Sequence, residues 1–249
     1  MPKRGGDMVD TPEYLAHDER DAPHIDNLID NLKEVDHLPS IHHFLHRYIT
    51  GKSGRGRRRD VEILNKSAIV LLCACWEAFA EDLANAALQY MIDWSASPNV
   101  IPMALSTHVV KNHTGARAWE LAGDGWKKAL RDNLKGYLGK TTGSWNTPRS
   151  DNVDSLFEQT LGLTGISKSW AWRGTTANAA KSRLDRLVIL RGAIAHRVEA
   201  TSSVRLKDVE NARELVCRLA IKSHNRVRQH LIDTIGMPGW ARYKHGGTE

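Results

Sequence analysis

The stretch Leu187–Arg197, with the sequence LVILRGAIAHR, is the most informative part of the chain about its fold. Its apolar residues recur at helical spacing with Leu184 upstream, which predicts a helix with one apolar stripe. Arg191 falls on that stripe. Because an unpaired charge is costly to remove from water, its guanidinium needs a carboxylate, a subunit interface or an anionic ligand. His196 follows five residues later, and its imidazole can exchange protons near neutral pH.

The composition is that of a mildly basic protein with enough apolar residues for a core. The chain has 249 residues, 41% of them hydrophobic, and a net charge of +6. This length suits one large domain or two small ones, and the charge favours anionic partners, nucleic acid first. The three cysteines lack metal-binding spacing, so we expect reduced thiols, no metal or other cofactor, and a cytoplasmic location. The longest apolar run, Ala68–Trp76, is too short for a bilayer, and no signal-peptide pattern occurs, so no membrane association is expected.

Helical periodicity accounts for most of the chain, and neither an alternating strand pattern nor a repeat occurs. We predict an all-α fold with an N-terminal tail (1–22), a single domain (23–236) and a C-terminal tail (237–249). Within the domain, an irregular, Trp-rich helical insert at about 94–175 separates two pairs of long helices. The predicted helices start at His24 with a break at Pro39, and continue with Val61 to about Asp93, Ala104–Val110, Gly125–Leu138, Asp154–Leu161, Thr176–Val198 and Lys207–Ile235.

The helix from Val61 is the most apolar and is predicted to be the most buried. It carries Glu77 and Glu81 one turn apart. They are either a solvent-facing edge that makes ordinary ion pairs or a source of the carboxylate that neutralises Arg191. Gly192, directly after that arginine, is small enough to let another backbone approach.

A Gly/Arg-rich loop at 50–59, with the sequence TGKSGRGRRR, precedes this helix. Its Gly-Lys-Ser is not a phosphate-binding loop, because position 46 is His46 and no strand precedes it. The loop is either a solvated tip or a contact for RNA phosphates. The candidate RNA-binding residues are Arg55, Arg57, Arg58 and Arg59, together with Arg197 next to His196.

The insert contains five tryptophans, Trp119, Trp126, Trp145, Trp170 and Trp172. Tryptophan can stack on bases, but in a loop-rich segment it more often anchors that segment to a core. We therefore expect anchoring. Asp151 or Asn152 is predicted to cap the helix that follows.

The spacing of Arg191 and His196 is weak evidence for a site, because one such pair is expected by chance and Arg218 and His224 form a similar one. On an ideal helix, residues five apart point about 140° away from each other. One helix therefore does not bring both side chains onto one phosphate. A two-fold dimer meeting along this helix would place two arginines and two histidines around one cleft.

The segment Arg191–His196 in a late helix resembles the R-x4-6-H motif of HEPN domains. The earlier helix, with LLCACWEAF at 71–79 followed by Glu81, Asp82 and Leu83, is similar to the branch called RiboL-PSP-HEPN. The resemblance covers roughly residues 24–235. It implies an all-helical bundle, usually dimeric, that acts as a metal-independent endoribonuclease, often as a toxin or antiphage effector with an antitoxin or regulatory partner.

The resemblance also implies that Arg191 and His196 are the catalytic pair. Many active members carry Asn or Asp after the arginine, where this chain has Gly192. Members modified by a partner nucleotidyltransferase carry Tyr two residues after the histidine. Val198 stands there, which argues against that antitoxin mechanism.

Two other function classes remain for comparison. The first is a non-catalytic HEPN-like module that binds nucleic acid or a protein, with Arg191 held by Glu77 or Glu81 in a structural ion pair. The second is a helical DNA-binding regulator, which is disfavoured because no helix-turn-helix pattern occurs.

Overall fold

The computed structural model describes residues 22–50, 59–142, 147–196 and 203–244, and these ranges are helical without a strand. The α-helices are α1 (Pro23–Thr50), α2 (Arg59–Trp94), α3 (Met103–Lys111), α4 (Gly125–Thr142), α5 (Ser150–Leu161), α6 (Ala177–His196) and α7 (Leu206–Ile235). Short 3₁₀ turns lie at Pro98–Val100, Gly115–Leu121 and Ile166–Ser169. The all-α prediction is confirmed, and the later helices begin and end within a few residues of their predicted bounds.

α2 lies at the centre of the bundle and packs against α1, α4, α5, α6 and α7. Its large inward side chains are completely buried, among them Trp76, Phe79, Leu83, Leu88 and Met91. Burying an apolar side chain of this size stabilises a fold by about 1.5–3 kcal/mol. The apolar sequence of this helix therefore determines around which element the others pack.

α1 corrects one prediction, because the helix does not break at Pro39 but continues from Pro23 to Thr50. Proline removes one helical hydrogen bond and crowds the preceding turn. Against that cost, the first half of α1 buries Ile25, Leu28 and Val35 in the core. This packing, absent from a purely local prediction, holds the helix up to Leu38, and the backbone stays helical through Pro39 to Thr50.

Trp170 anchors the insert to the core, as the sequence predicts for the tryptophans of this segment. This side chain is fully buried, and its Nε1–H donates to Ser223 Oγ of α7 at 2.8 Å. Its ring meets Trp76 of α2 edge-on, with centroids 5.7 Å apart. Trp119 does not anchor, since 82% of it is exposed. Trp145 lies outside the described residues.

The start of α5 corrects a second prediction. Neither Asp151 nor Asn152 caps the helix, which begins at Ser150 without a local side-chain cap. Instead, the carboxylate of Asp185 on α6 accepts the Ser150 backbone N–H at 2.9 Å and its hydroxyl at 3.1 Å. The capping group thus comes from a helix 35 residues further along the chain.

A pair of buried histidines joins the first and last helices. His24 Nε2 lies 2.8 Å from His224 Nδ1, and His224 Nε2 lies 2.9 Å from the carbonyl oxygen of Ala241. Because a carbonyl only accepts, His224 carries its proton on Nε2 and accepts at Nδ1 from His24. His24 Nδ1 is then a buried acceptor with no partner in the described part of the chain. Burial, and secondarily the charge of His224, lowers the pKa of His24 to about 3.

Residues 237–244, which the sequence predicts as a tail, lie against the bundle. Trp240 is buried and meets the His24 ring edge-on, with centroids 4.6 Å apart. Asn225 of α7 donates to the Tyr243 carbonyl at 2.7 Å, and the Tyr243 N–H donates back at 3.1 Å. The packed chain therefore extends past the predicted boundary at 236. The rest of the predicted tails, 1–21 and 245–249, lies outside the described residues.

One described helix, Glu62–Trp94, is long and apolar enough by length and composition to cross a bilayer. Its average hydropathy over a longer stretch is high, although its uninterrupted apolar run, Ala68–Trp76, is too short to span a bilayer. Half of its most apolar stretch is buried inside the bundle. This is consistent with the core helix of a soluble protein.

Candidate active site

Arg191 lies on the inward side of α6, as the apolar stripe predicts. Its neighbours one turn away, Leu187, Val188 and Ile194, are all buried. Arg191 itself is half-buried. The helix therefore holds a guanidinium at the edge of the core, where an anion would be attracted through a medium less polar than water.

The positive charge of Arg191 affects the pKa of one carboxylate of α2, that of Glu77. Burial raises the pKa of Glu77, and the guanidinium charge lowers it by a smaller amount. The same charge acts on Cys73, although burial dominates there and raises the pKa of the thiol to about 12. Among the described contacts, no hydrogen bond or ion pair joins Glu77 to Arg191. The carboxylate offsets the arginine charge without occupying its donors.

Glu81 has a different environment. Burial raises its pKa, and the nearby carboxylates of Glu77 and Asp82 raise it further. No effect of Arg191 contributes to this shift. Of the two acids that the sequence offered as partners, only Glu77 is affected by the arginine.

His196 is the last residue of α6, and its side chain lies outside the part that the structure describes. Its backbone position is five residues from Arg191, about 140° further around the helix. Between them, Gly192 has open space, since a Cβ there would meet nothing within 4 Å. Within the described part of the chain, the space next to Gly192 is therefore open.

The basic residues assigned to RNA binding are mostly beyond the described structure. Arg55, Arg57, Arg58 and Arg197 lie outside the described residues, and Arg59 is described only as the first residue of α2. Their role stays a prediction.

The second Arg–His pair has a structural role. His224 is fully buried and bonded to His24 and Ala241, and burial lowers its pKa. Arg218 lies over the ring of Trp172 and pairs with Glu214. This histidine is closed off from solvent, so the pair on α6 is the better candidate for a site.

No group of three or more His, Cys, Asp or Glu able to hold a metal ion occurs among the described residues. Neither the proximity of Cys73 to Arg191 nor the cap from Asp185 is predictable from the sequence. Both depend on how α2, α5 and α6 meet, and no local pattern encodes them.

An all-helical bundle with an Arg–His pair near the end of a late helix defines the class of protein. A family model described as RiboL-PSP-HEPN matches residues 26–229. No curated protein and no solved structure matches the chain. The chain belongs to the RiboL-PSP-HEPN family, which confirms the resemblance and indicates a nucleotide-related function, often that of a ribonuclease.

Proposed function

We propose that this protein is a metal-independent endoribonuclease whose catalytic residues are Arg191 and His196. The observation that carries the proposal is the half-buried guanidinium on the motif helix, held near Glu77 but not bonded to it. A planar guanidinium matches the geometry of a phosphate and can bind two of its oxygens at once.

RNA carries its own nucleophile, so the reaction needs no covalent residue on the protein. His196 takes the proton of the 2′-hydroxyl, whose oxygen attacks the adjacent phosphorus. The bond from phosphorus to the 5′-oxygen breaks, and the departing oxygen receives a proton. Arg191 offsets the negative charge that grows on the non-bridging oxygens. The products are a 2′,3′-cyclic phosphate and a 5′-hydroxyl, and each proton transfer contributes about 10²–10⁴-fold to the rate.

The test is the chemistry of the cut ends. Purified protein and its His196→Ala variant are incubated with labelled RNA, and with DNA of the same sequence, with and without EDTA. We expect RNA cleavage that EDTA does not affect, cyclic phosphate ends, and no cleavage of DNA, which lacks the 2′-hydroxyl. Loss of activity in EDTA, comparable cutting of DNA, or undiminished cleavage by the variant would each contradict the proposal.

The proposed active form is a homodimer with a shared cleft. The wide angle between Arg191 and His196 means that one helix supplies only half of a site. The open space at Gly192 leaves room for a second backbone. Large apolar side chains are also exposed on α6 and on α2, which packs against it: Ile189 of α6 is 57% exposed and Leu71 of α2 is 44% exposed. In such a dimer, the partner's His196 protonates the departing oxygen.

Gly192→Ala separates the stability of the chain from its association. Alanine favours a helix interior over glycine by about 1 kcal/mol, so the free energy of unfolding of dilute monomer should rise by that order. The added methyl group should weaken dimerisation, measured by sedimentation velocity. Gly136→Ala is the matched control, since Gly136 also lies within a helix with open space around it. A protein that is monomeric at every concentration, or unchanged dimerisation in the variant, would count against the shared cleft.

The rival function is a non-catalytic module that binds nucleic acid or a protein, in which the charge of Arg191 serves only to offset that of Glu77. RNA binding without cleavage would support this rival.

The biological role proposed for the enzyme is that of a cytoplasmic toxin or antiphage effector, controlled by an antitoxin or regulatory protein. Growth arrest on expression that His196→Ala relieves would support that role.

A further inference from the structure

A second basic surface lies away from Arg191, where the end of the insert meets α7. The chain makes a tight turn there, in which the backbone N–H groups of Trp172 and Thr175 donate to each other's carbonyls at 3.0 and 2.8 Å. Gly174 adopts a positive φ of 78°, which glycine allows without strain. The exposed Arg173 lies between these residues. The buried Trp170 holds the turn against α7, so the position of the turn is fixed.

Arg218 joins the turn to α7. Its guanidinium carbon lies 5.6 Å from the centre of the Trp172 ring, and its Nε lies 2.5 Å from Glu214 Oε1. Lys222 and Arg226 follow at four-residue steps and therefore share one side of the helix. An aromatic ring and a row of cations thus lie along one surface.

We call this surface the α7 basic face, and it consists of Trp172, Arg173, Arg218, Lys222 and Arg226. Its acidic neighbours on α7 are Glu214, paired with Arg218, and Asp233, which lies 4.0 Å from Arg226. Four cations less two carboxylates leave a charge of +2, one third of the net +6 of the whole chain.

We propose that the α7 basic face binds single-stranded RNA at a distance from the cleavage point, an inference that rests on RNA being the substrate. Cations in a row follow a phosphate backbone, and the Arg218 guanidinium that lies over the Trp172 ring offers a planar surface to a base. α6 begins at Ala177, five residues after Trp172, and Arg191 lies 14 residues further, about 21 Å along the helix axis. The face therefore contacts nucleotides away from the cut phosphate, and it distinguishes long RNA from very short RNA.

The experiment measures binding to 2′-O-methyl RNA, which has no free 2′-hydroxyl and is not cut. One oligomer is roughly 24 nucleotides long, and the other has roughly 4, near the lower limit of single-strand site sizes. The test variant combines Arg173→Ala, Lys222→Ala and Arg226→Ala. The control combines Lys33→Ala, Lys128→Ala and Lys207→Ala, which removes the same charge from exposed positions elsewhere. Thermal unfolding establishes that both variants fold.

We expect the test variant to bind the long oligomer about tenfold more weakly, with a salt dependence about two units shallower for three lost phosphate contacts on a single strand. The control and the short oligomer should show no such change. Equal losses of affinity in the test and control variants, or an unchanged salt slope, would overturn the proposal. So would displacement of the bound RNA by polyglutamate as effectively as by unlabelled RNA. If the test variant does not fold, Lys222→Glu alone gives the same comparison. Because the RNA is uncleavable, this result is independent of whether the protein is a nuclease.

Discussion

Replacing Arg191 with alanine is expected to lower the rate of RNA cleavage by about 10²–10⁴-fold, the range lost when a positioned charge-stabilising group is removed. His196→Ala should cost a similar factor. Arg191→Lys should recover only part of the rate, because an ammonium group offers a point charge without the planar fork. Single-turnover cleavage of a labelled RNA is the measurement.

Two substitutions on exposed residues control for general effects. Arg186→Ala removes an exposed arginine from the same helix, and His37→Ala removes an exposed histidine from α1. Both should cleave at the rate of the unchanged protein. If Arg186→Ala is as impaired as Arg191→Ala, the loss reflects the charge of α6 and not a catalytic arginine.

A mixture of the two inactive variants tests whether the site is shared. In a dimer of Arg191→Ala with His196→Ala, the common cleft still contains one arginine and one histidine of the original kind. Mixing should therefore restore a measurable part of the activity. A mixture that exchanges subunits, shown by co-purification of differently tagged chains, yet stays inactive would mean that each chain needs its own pair.

Acidification is expected to lower the free energy of unfolding by about 2 kcal/mol between pH 8 and pH 5 through His24 alone. In the unfolded chain a histidine binds a proton below about pH 6.5. In the folded protein, burial keeps the pKa of His24 at about 3. The contribution of His24 is therefore complete above pH 6.5 and is lost as the pH falls from 6.5 towards 3. The lowered pKa of His224 acts in the same direction. Urea denaturation at a series of pH values measures this loss.

His24→Gln keeps a side-chain donor towards His224 and removes the titrating ring. Its stability should fall less between pH 8 and pH 5, by about the 2 kcal/mol assigned to His24. The control His37→Gln, on an exposed histidine of the same helix, should follow the unchanged protein. Parallel pH profiles for His24→Gln and the unchanged protein would contradict the assignment.

Most of the fold was predictable because it depends on local periodicity. The apolar stripe of α6 predicts that Arg191 lies on the inward side, and the apolar run in α2 indicates the central helix. The continuous α1 was not predictable, since the tendency of Pro39 to break a helix is local and the packing that opposes it is not.

The candidate site could be predicted only in outline. Glu77 and Glu81 are equivalent in sequence, and only the packing of α2 on α6 distinguishes them. The same limit applies to His224, whose spacing from Arg218 resembles a motif until its burial is known. Contacts between residues far apart in the chain leave no periodic signal. The sequence therefore yields a set of candidate residues, and only the structure shows which of them lie near Arg191.

The contact between His24 and His224 also constrains how the protein folds during synthesis. The two residues are 200 positions apart, and Trp240, which covers His24, comes later still. While the ribosome is still adding the last helix, α2 can cover most of the apolar side of α1, but the first turn around His24 has no cover. α1 thus remains incompletely packed until the chain through Trp240 has emerged, so a truncated or stalled product exposes an apolar surface that proteases and chaperones recognise.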